Sequence, residues 1–218
     1  MVPRLRAGPS KGESAVMLLA LTFDDGPNTT ITPQVLDILS ENRAVASFFL
    51  IGQNIHPESE PVVRRALSLG CEICNHSVSH HPMSAMTPQE IRQEILPCSE
   101  SIQRITGYAP RFFRPPYIDV SPVLFNTVDL TFICGSGCGD WMPEVTAQQR
   151  IQQVLAHARD GEIILLHDSA GNVNTVEALR FLVPELNRRG FRFVTCSQLF
   201  QENRISPVPG HLYSNVFE

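Results

Sequence analysis

The alternation of short apolar runs with amphipathic segments most constrains the fold of this 218-residue chain. Seven runs are typical of buried strands, and they cover residues 17–21, 44–51, 71–74, 111–113, 130–134, 162–166 and 191–195. Helical periodicity lies between them, in segments that begin at residues 32, 61, 87, 146 and 176. Strands that alternate with helices form parallel sheets, so the pattern predicts one α/β domain, either a barrel or an open sheet.

The two ends of the chain differ from this pattern. Residues 1–16 are polar, basic and interrupted by Pro and Gly, and they contain no apolar core of signal-peptide type. We interpret them as a disordered leader, a cloning remnant or the stub of a removed export segment. We expect the domain to span residues 17–203, followed by an irregular C-terminal tail over residues 204–218.

Composition argues against several classes of partner. The formal net charge of −5 argues against nucleic acid, and no apolar run approaches the length of a membrane span. Six cysteines permit disulfides, although a domain of this size folds without them. Cys71 and Cys74 have the spacing of a zinc site, but the segment is better interpreted as a strand. Cysteines without a clear framework weakly favour a reducing compartment.

Asp24 and Asp25 follow the first apolar run and precede Gly26-Pro27. In α/β folds, ligand sites lie at the carboxyl ends of strands. Neighbouring strand residues point to opposite faces, so we expect the two carboxylates to have different roles, one with a cation and one with protons. A solvated Asp-Asp-Gly-Pro turn is the alternative.

Other chemically active residues also follow predicted strands, and in a barrel these strand ends converge on one mouth. The groups are residues 75–80, residues 114–117, Asp140-Trp141 and His167-Asp168. His76 and His80 are four residues apart, which on a helical turn places both imidazoles on one face. With a carboxylate they form a set that suits zinc or non-haem Fe(II), although a plain surface or core pair is also compatible.

The remaining candidates suggest proton transfer. His167 ends an apolar strand and is interpreted as a general acid or as a core histidine. Asp140 would hold the His167 imidazole in one tautomer and raise the pKa of His167, unless Asp140 is an ordinary loop carboxylate. Arg114 would keep Asp24 ionised as a base, unless it is a surface cation. Trp141, the only tryptophan, would pack beside the site or in the core.

In this order the residues resemble the polysaccharide deacetylase family, also called the NodB-homology or carbohydrate esterase family 4 domain. The likeness covers roughly residues 17–200 and consists of five motifs in sequence order, Thr22–Pro27, His76-Ser77-x-x-His80, Arg114–Tyr117, Asp140-Trp141 and Leu165-x-His167.

The resemblance implies a distorted (β/α) barrel of about seven parallel strands and one divalent metal, zinc or cobalt, with nickel possible. It implies that the metal ligands are Asp25, His76 and His80. It also implies roles for seven other residues: Asp24 as general base, His167 as general acid supported by Asp140, Arg114 positioning Asp24, the Tyr117 backbone N–H at the oxyanion, and Leu165 and Trp141 as walls of the acetyl pocket.

The function that the resemblance implies is removal of acetyl groups from a carbohydrate. We expect N-acetyl groups of N-acetylglucosamine glycans (chitin, chito-oligosaccharide or peptidoglycan), with an acetylxylan esterase as the alternative. Such substrates imply a secreted or cell-surface protein, although no signal peptide is visible.

Two positions depart from the family pattern. Gly137 stands where the fourth motif usually begins with Asp, which is expected to weaken the support of Arg114. Ile118 stands where Gly usually follows the tyrosine, which is expected to alter the loop near the substrate. A non-catalytic glycan-binding domain therefore stays open. An Fe(II) oxygenase is disfavoured, because its ligand set usually lies on an antiparallel barrel.

Overall fold

The seven predicted strands all form, and they belong to one parallel sheet. The computed structural model describes residues 16–218, so the leader prediction lies almost entirely outside the described residues. The strands are β1 Met17–Asp24, β2 Ser47–Leu50, β3 Glu72–Asn75, β4 Phe112–Phe113, β5 Thr131–Ile133, β6 Ser136–Gly137, β7 Glu162–His167, β8 Phe191–Phe193 and β9 Leu212–Tyr213. The sheet order is β6-β7-β1-β2-β3-β4-β5-β9, with β8 beside the start of β1, and every strand pair is parallel.

Helices connect the strands and pack on the two faces of the sheet. They are α1 Ile31–Glu41, α2 Glu60–Ser68, α3 Pro88–Thr106, α4 Pro122–Thr127, α5 Ala147–His157, α6 Val173–Arg188 and α7 Cys196–Glu202. A capping box of Thr87 and Glu90 starts α3. Helix α1 begins at Ile31, one residue before the predicted start at residue 32, and the Thr32 hydroxyl donates to the Asp168 carboxylate. The predicted distorted (β/α) barrel is confirmed as a curled parallel sheet with helices around it.

The structure adds elements that the sequence analysis did not predict. The two-residue strands β6 and β9 raise the strand count above the expected seven, and α4 and α7 are also new. The segment predicted as an irregular tail contains β9, which pairs with β5. Tyr213 and Val216 of that segment are buried.

The core lies on both faces of the sheet. One face packs against α1, α2, α3, α5 and α6, through residues such as Phe23, Phe48, Leu36 and Leu179. The concave face is filled by α7 and the C-terminal segment, with the residues Ala20, Phe49, Cys74, Ile163, Phe200 and Tyr213 among them. All six cysteines are free thiols, and five are buried. Within residues 16–218, no helix has the length and apolar character needed to cross a bilayer.

Candidate active site

The carboxyl ends of β1, β3, β4, β6 and β7 bring together every site residue that the sequence analysis singled out. The register fixes part of this arrangement, because β1 and β7 pair Asp24 directly with His167. Residues from these strand ends line one cavity of about 490 Å³, a volume typical of ligand sites. Its lining includes Asp24, Asp25, His76, His80, Tyr117, Ile118, Cys134, Gly137, Trp141, Leu165 and His167.

Asp24 is held by a buried guanidinium. Arg114 Nη1 donates to Asp24 Oδ1 at 2.6 Å, and both side chains are almost fully buried. Arg114 Nη2 donates to the Thr22 hydroxyl at 2.8 Å and Nε to the Ile133 carbonyl at 3.2 Å. The guanidinium also lies over the Phe49 ring at 4.2 Å. This ion pair fixes the orientation of the Asp24 carboxylate, as a positioned general base requires.

Asp25, His76 and His80 form a cluster that fits a divalent metal. Their ligand atoms lie within 4.8 Å of one another, and Asp25 Oδ1 is 3.6 Å from His76 Nε2 and 3.3 Å from His80 Nε2. Zinc bonds of about 2.0–2.1 Å would place neighbouring tetrahedral ligand atoms about 3.3 Å apart. Asp25 Oδ1 is buried and has no hydrogen-bond partner among the described residues, as expected of an atom whose partner is an ion.

The protonation of this cluster also suits a metal. His76 Nδ1 lies 2.6 Å from the Arg114 carbonyl, which only accepts, so Nδ1 carries the proton and Nε2 presents its lone pair. Burial, with the neighbouring His76, lowers the pKa of His80 and favours its neutral form. Burial opposes ionisation of Asp25, but the neighbouring histidines, His76 first, lower its pKa below the usual value.

The backbone around the cluster differs from two predictions. The segment from His76 to His80 is an irregular loop and not a helical turn, and Ser77 and His80 have φ of 65° and 60°. Asp24 and Asp25 do not point to opposite faces of the sheet. Asp25 has φ of 75°, which ends the strand geometry and turns its carboxylate towards the cavity that Asp24 also lines. The two carboxylates nevertheless have different partners, Arg114 for Asp24 and the two histidines for Asp25, and their different roles stay a prediction.

Sequence reasoning missed the residues that hold this loop. Asn75 Oδ1 accepts from the Ser77 N–H at 2.7 Å. Glu94 on α3 accepts from the backbone N–H groups of Val78 and Ser79 at 3.0 and 2.8 Å. The signal for Asn75 was its place at the end of β3, whereas Glu94 lies in an ordinary amphipathic helix and carries no local signal.

His167 is paired with Asp140, as predicted. His167 Nδ1 lies 2.8 Å from Asp140 Oδ1, and the His167 backbone N–H donates to Asp140 Oδ2 at 2.7 Å. Burial disfavours the imidazolium, but the hydrogen bond and charge of Asp140, with the charges of Asp24 and Asp25, raise the pKa of His167 to about 9. The pair leaves Nε2 as the nitrogen that can transfer a proton.

Three other predicted residues form the walls of the cavity. Leu165 is buried, while the Trp141 ring lies 5.6 Å from the His167 ring and remains 58% exposed. Tyr117 has φ of 59°, and its ring is 4.8 Å from that of His80.

The two departures from the family pattern have separate structural consequences. A Cβ on Gly137 would meet the Trp141 ring at 3.4 Å, an ordinary van der Waals contact, so the indole lies against β6 without requiring glycine there. Arg114 is held by Ile133, Asp24 and Thr22, and the expected weakening of its support by Gly137 stays a prediction. Ile118 lines the cavity in the left-handed conformation, with φ of 53°, where a β-branched residue is strained.

Asp168 is a buried carboxyl beside the general-acid candidate that the sequence analysis left without a role. Its backbone N–H donates to the Asp24 carbonyl at 3.1 Å, and its carboxyl group accepts from the Thr32 hydroxyl. Burial, with the charges of Asp25 and Asp24, raises the pKa of Asp168 to about 7 despite the Thr32 hydrogen bond. A Cβ on Gly26 would come within 2.7 Å of this carboxyl, which explains glycine after Asp25.

A parallel α/β sheet with these five motifs at its carboxyl edge defines a class of carbohydrate-modifying proteins. The chain belongs to the polysaccharide deacetylase family, whose sequence profile matches residues 11–129, more than half of its length.

Similar proteins include enzymes that are named for different activities. The chain is 44% identical over 200 residues to a bifunctional xylanase/deacetylase of Pseudobutyrivibrio xylanivorans, covering 91% of this chain and 33% of that protein. It is 35% identical over 193 residues to a peptidoglycan-N-acetylglucosamine deacetylase of Bacillus cereus, covering 85% and 69% of the two chains. A family 4 acetyl xylan esterase from Clostridium thermocellum, solved with a cobalt ion, superposes with a TM-score of 0.88 at 42% identity, covering 91% and 98%. The chain thus spans about a third of the xylanase/deacetylase.

Proposed function

We propose that this chain is a metal-dependent hydrolase that removes acetyl groups from a carbohydrate, with N-acetyl groups of N-acetylglucosamine glycans as its main substrate. One observation carries the proposal. A single cavity contains the Asp25–His76–His80 cluster together with the Asp24 carboxylate and the His167 imidazole, each of the latter two held by its own buried partner. A hydrolase needs this combination of an electrophilic centre, a base and an acid.

Asp25, His76 and His80 would hold the metal, which we propose to be zinc or cobalt, with nickel a further candidate. When bound, a divalent ion supplies Lewis acidity, which polarises a carbonyl group and lowers the pKa of water. Cobalt accompanies the solved acetyl xylan esterase, which supports a divalent ion of this kind. The orphaned Asp25 oxygen and the Nε2 lone pair of His76 support the ligand assignment.

The protein's own side chains and one backbone N–H group would carry out the remaining steps. Asp24, ionised beside Arg114, accepts a proton from the attacking water as it adds to the acetyl carbonyl. The Tyr117 backbone N–H donates to the developing oxyanion. His167 then donates its Nε2 proton to the leaving nitrogen or oxygen, and Asp140 stabilises the imidazolium that supplies it. Leu165 and Trp141 enclose the acetyl methyl group.

The surroundings of the site support an oligomeric substrate. A second cavity of about 460 Å³ adjoins the first and shares Trp141 with it. Ser169 and Asn174 contribute polar groups there. Sugars bind where exposed aromatic rings adjoin polar side chains, so a neighbouring sugar of the substrate would lie across Trp141. An oligomeric glycan substrate also favours a secreted or cell-surface location for this protein, and that location stays a prediction.

Two observations bear on the choice of acetyl group. An amine leaves only when it is protonated, so the His167–Asp140 pair meets the stricter requirement of amide cleavage. O-acetyl groups of xylan are the second candidate, because the xylanase/deacetylase and the acetyl xylan esterase have higher identities than the peptidoglycan deacetylase.

Acetate release tests the proposal directly. The zinc- or cobalt-loaded protein is assayed in parallel with chitopentaose and with acetylated xylo-oligosaccharide, and preferred release from chitopentaose supports the main proposal. Release from the xylan substrate alone would instead support cleavage of O-acetyl esters. Asp24→Asn should retain the metal and lose turnover, because the amide cannot accept the proton. Metal binding with no release from either glycan by the unmodified protein would refute deacetylation of both substrates and favour a glycan-binding domain.

A further inference from the structure

Arg150 on α5 is a buried charge without a direct counter-ion. Its side chain is 1% exposed, and it donates to the Val145 and Met142 carbonyls at 2.9 and 3.1 Å. Its Nη1 donates to Asn172 Oδ1 at 2.5 Å and to the Thr175 hydroxyl at 2.7 Å. These partners are all neutral, and within residues 16–218 Arg150 makes no ion pair. A buried charge is costly unless a compensating charge lies nearby.

The compensating charge is Asp140, reached through one hydroxyl group. Thr175 is fully buried, and its hydroxyl lies 2.9 Å from Asp140 Oδ2. A guanidinium only donates, so Thr175 accepts from Arg150 and must direct its own proton to Asp140. The other oxygen of Asp140 holds His167 Nδ1 at 2.8 Å. Arg150, Thr175, Asp140 and His167 therefore form one directed chain of hydrogen bonds that ends at the proposed acid.

Asn172 connects the same groups through a second set of hydrogen bonds. Its side-chain N–H groups donate to the backbone carbonyls of Asp140 and His167 at 3.1 and 3.0 Å, while its oxygen accepts from Arg150. Arg150 thus connects the loop that carries Asp140 to the start of α6 and the end of β7. Consecutive hydrogen bonds polarise one another, so the Arg150 charge strengthens the hydrogen bond from Thr175 to the Asp140 carboxylate.

We propose that Arg150 and Thr175 are positioning residues for proton donation by His167, acting through Asp140. The Thr175 hydroxyl donates to Asp140 and fixes the orientation of its carboxylate. Asp140 in turn keeps the His167 proton on Nδ1 and leaves Nε2 directed to the leaving group. The inference rests on the proposed function, because it assigns these residues to the protonation of a leaving amine or alcohol.

Two substrates with different leaving groups test this inference. Acetylated oligosaccharides need the general acid, whereas 4-nitrophenyl acetate releases a stable anion and does not. Thr175→Val keeps the shape and removes the hydroxyl, and it should lower kcat on the oligosaccharide about tenfold. Its kcat on 4-nitrophenyl acetate should stay within about twofold. Thr175→Ser, which keeps the hydroxyl, should match the unmodified protein on both substrates.

A structural role would give a different pattern. Equal losses on both substrates, or no loss on either, would overturn the inference. If Thr175→Val does not fold, Arg150→Lys should show the same selective loss, because an ammonium lacks the planar fork. If the unmodified protein cleaves no glycan, the proposed function fails, and nitrogen NMR of His167 then decides the inference. An unchanged Nδ1–H tautomer population in Thr175→Val would overturn it, and a mixed population would support it.

Discussion

The His167–Asp140 pair permits a pKa prediction whose sign and size follow from the structure. Burial disfavours the imidazolium, but Asp140, with Asp24 and Asp25, raises the pKa of His167 from 6.5 to about 9. A difference of about 2.5 units corresponds to about 3 kcal/mol in favour of the protonated form. Asp140→Asn removes the nearest negative charge, so in metal-free protein we expect the His167 pKa to fall by about two units.

The same shift predicts a pH dependence of stability. Because the pKa of His167 is higher in the folded state, the stabilisation is complete below pH 6.5 and is lost as the pH rises to about 9. The unfolding free energy of the unmodified protein should therefore include a decrease of up to about 3 kcal/mol over this range, which Asp140→Asn largely lacks.

Two measurements on chelator-treated protein check this prediction. Nitrogen NMR follows the titration of His167, and urea denaturation at pH 6.5 and pH 9 gives the unfolding free energies. Asp37→Asn is the control, because Asp37 pairs with Arg65 at the surface and should leave His167 unchanged. A His167 pKa in Asp140→Asn that remains within half a unit of that in the unmodified protein would refute the assigned cause.

Three further predictions concern the metal cluster, the buried ion pair and the exposed indole. His76→Ala should lose the metal in elemental analysis, while His81→Ala, an exposed histidine outside the cluster, should retain it; full occupancy in both contradicts the ligand assignment. Arg114→Met should reduce the unfolding free energy in urea by about 3–5 kcal/mol, because Asp24 is left buried without its partner, while exposed Arg111→Met should change it by under about 0.5 kcal/mol. Trp141→Ala should lower kcat/KM on oligosaccharides about tenfold with an unchanged Tm, since the indole is largely solvent-exposed; an unchanged kcat/KM would exclude glycan contact there.

Local sequence patterns identified most of the sheet because a buried strand needs a continuous apolar run wherever it lies. The runs before Asp24 and His167 are examples, and both became central strands that pair with each other. Shorter elements had no such signal. Strand β9 contains only Leu212 and Tyr213, and it forms because the edge of β5 supplies its hydrogen-bond partners.

The sequence by itself determined the fold class, the order of the motifs and the identity of the candidate groups, because these depend on local periodicity and residue type. Only the tertiary structure decided how these groups meet. The left-handed backbone of Asp25 directs both carboxylates into one cavity, and an irregular loop brings His80 to His76. Arg150 occupies an ordinary helical position, so only packing against α6 reveals that it is buried and linked to Asp140. Such contacts join residues far apart in the chain, so local sequence patterns cannot predict them.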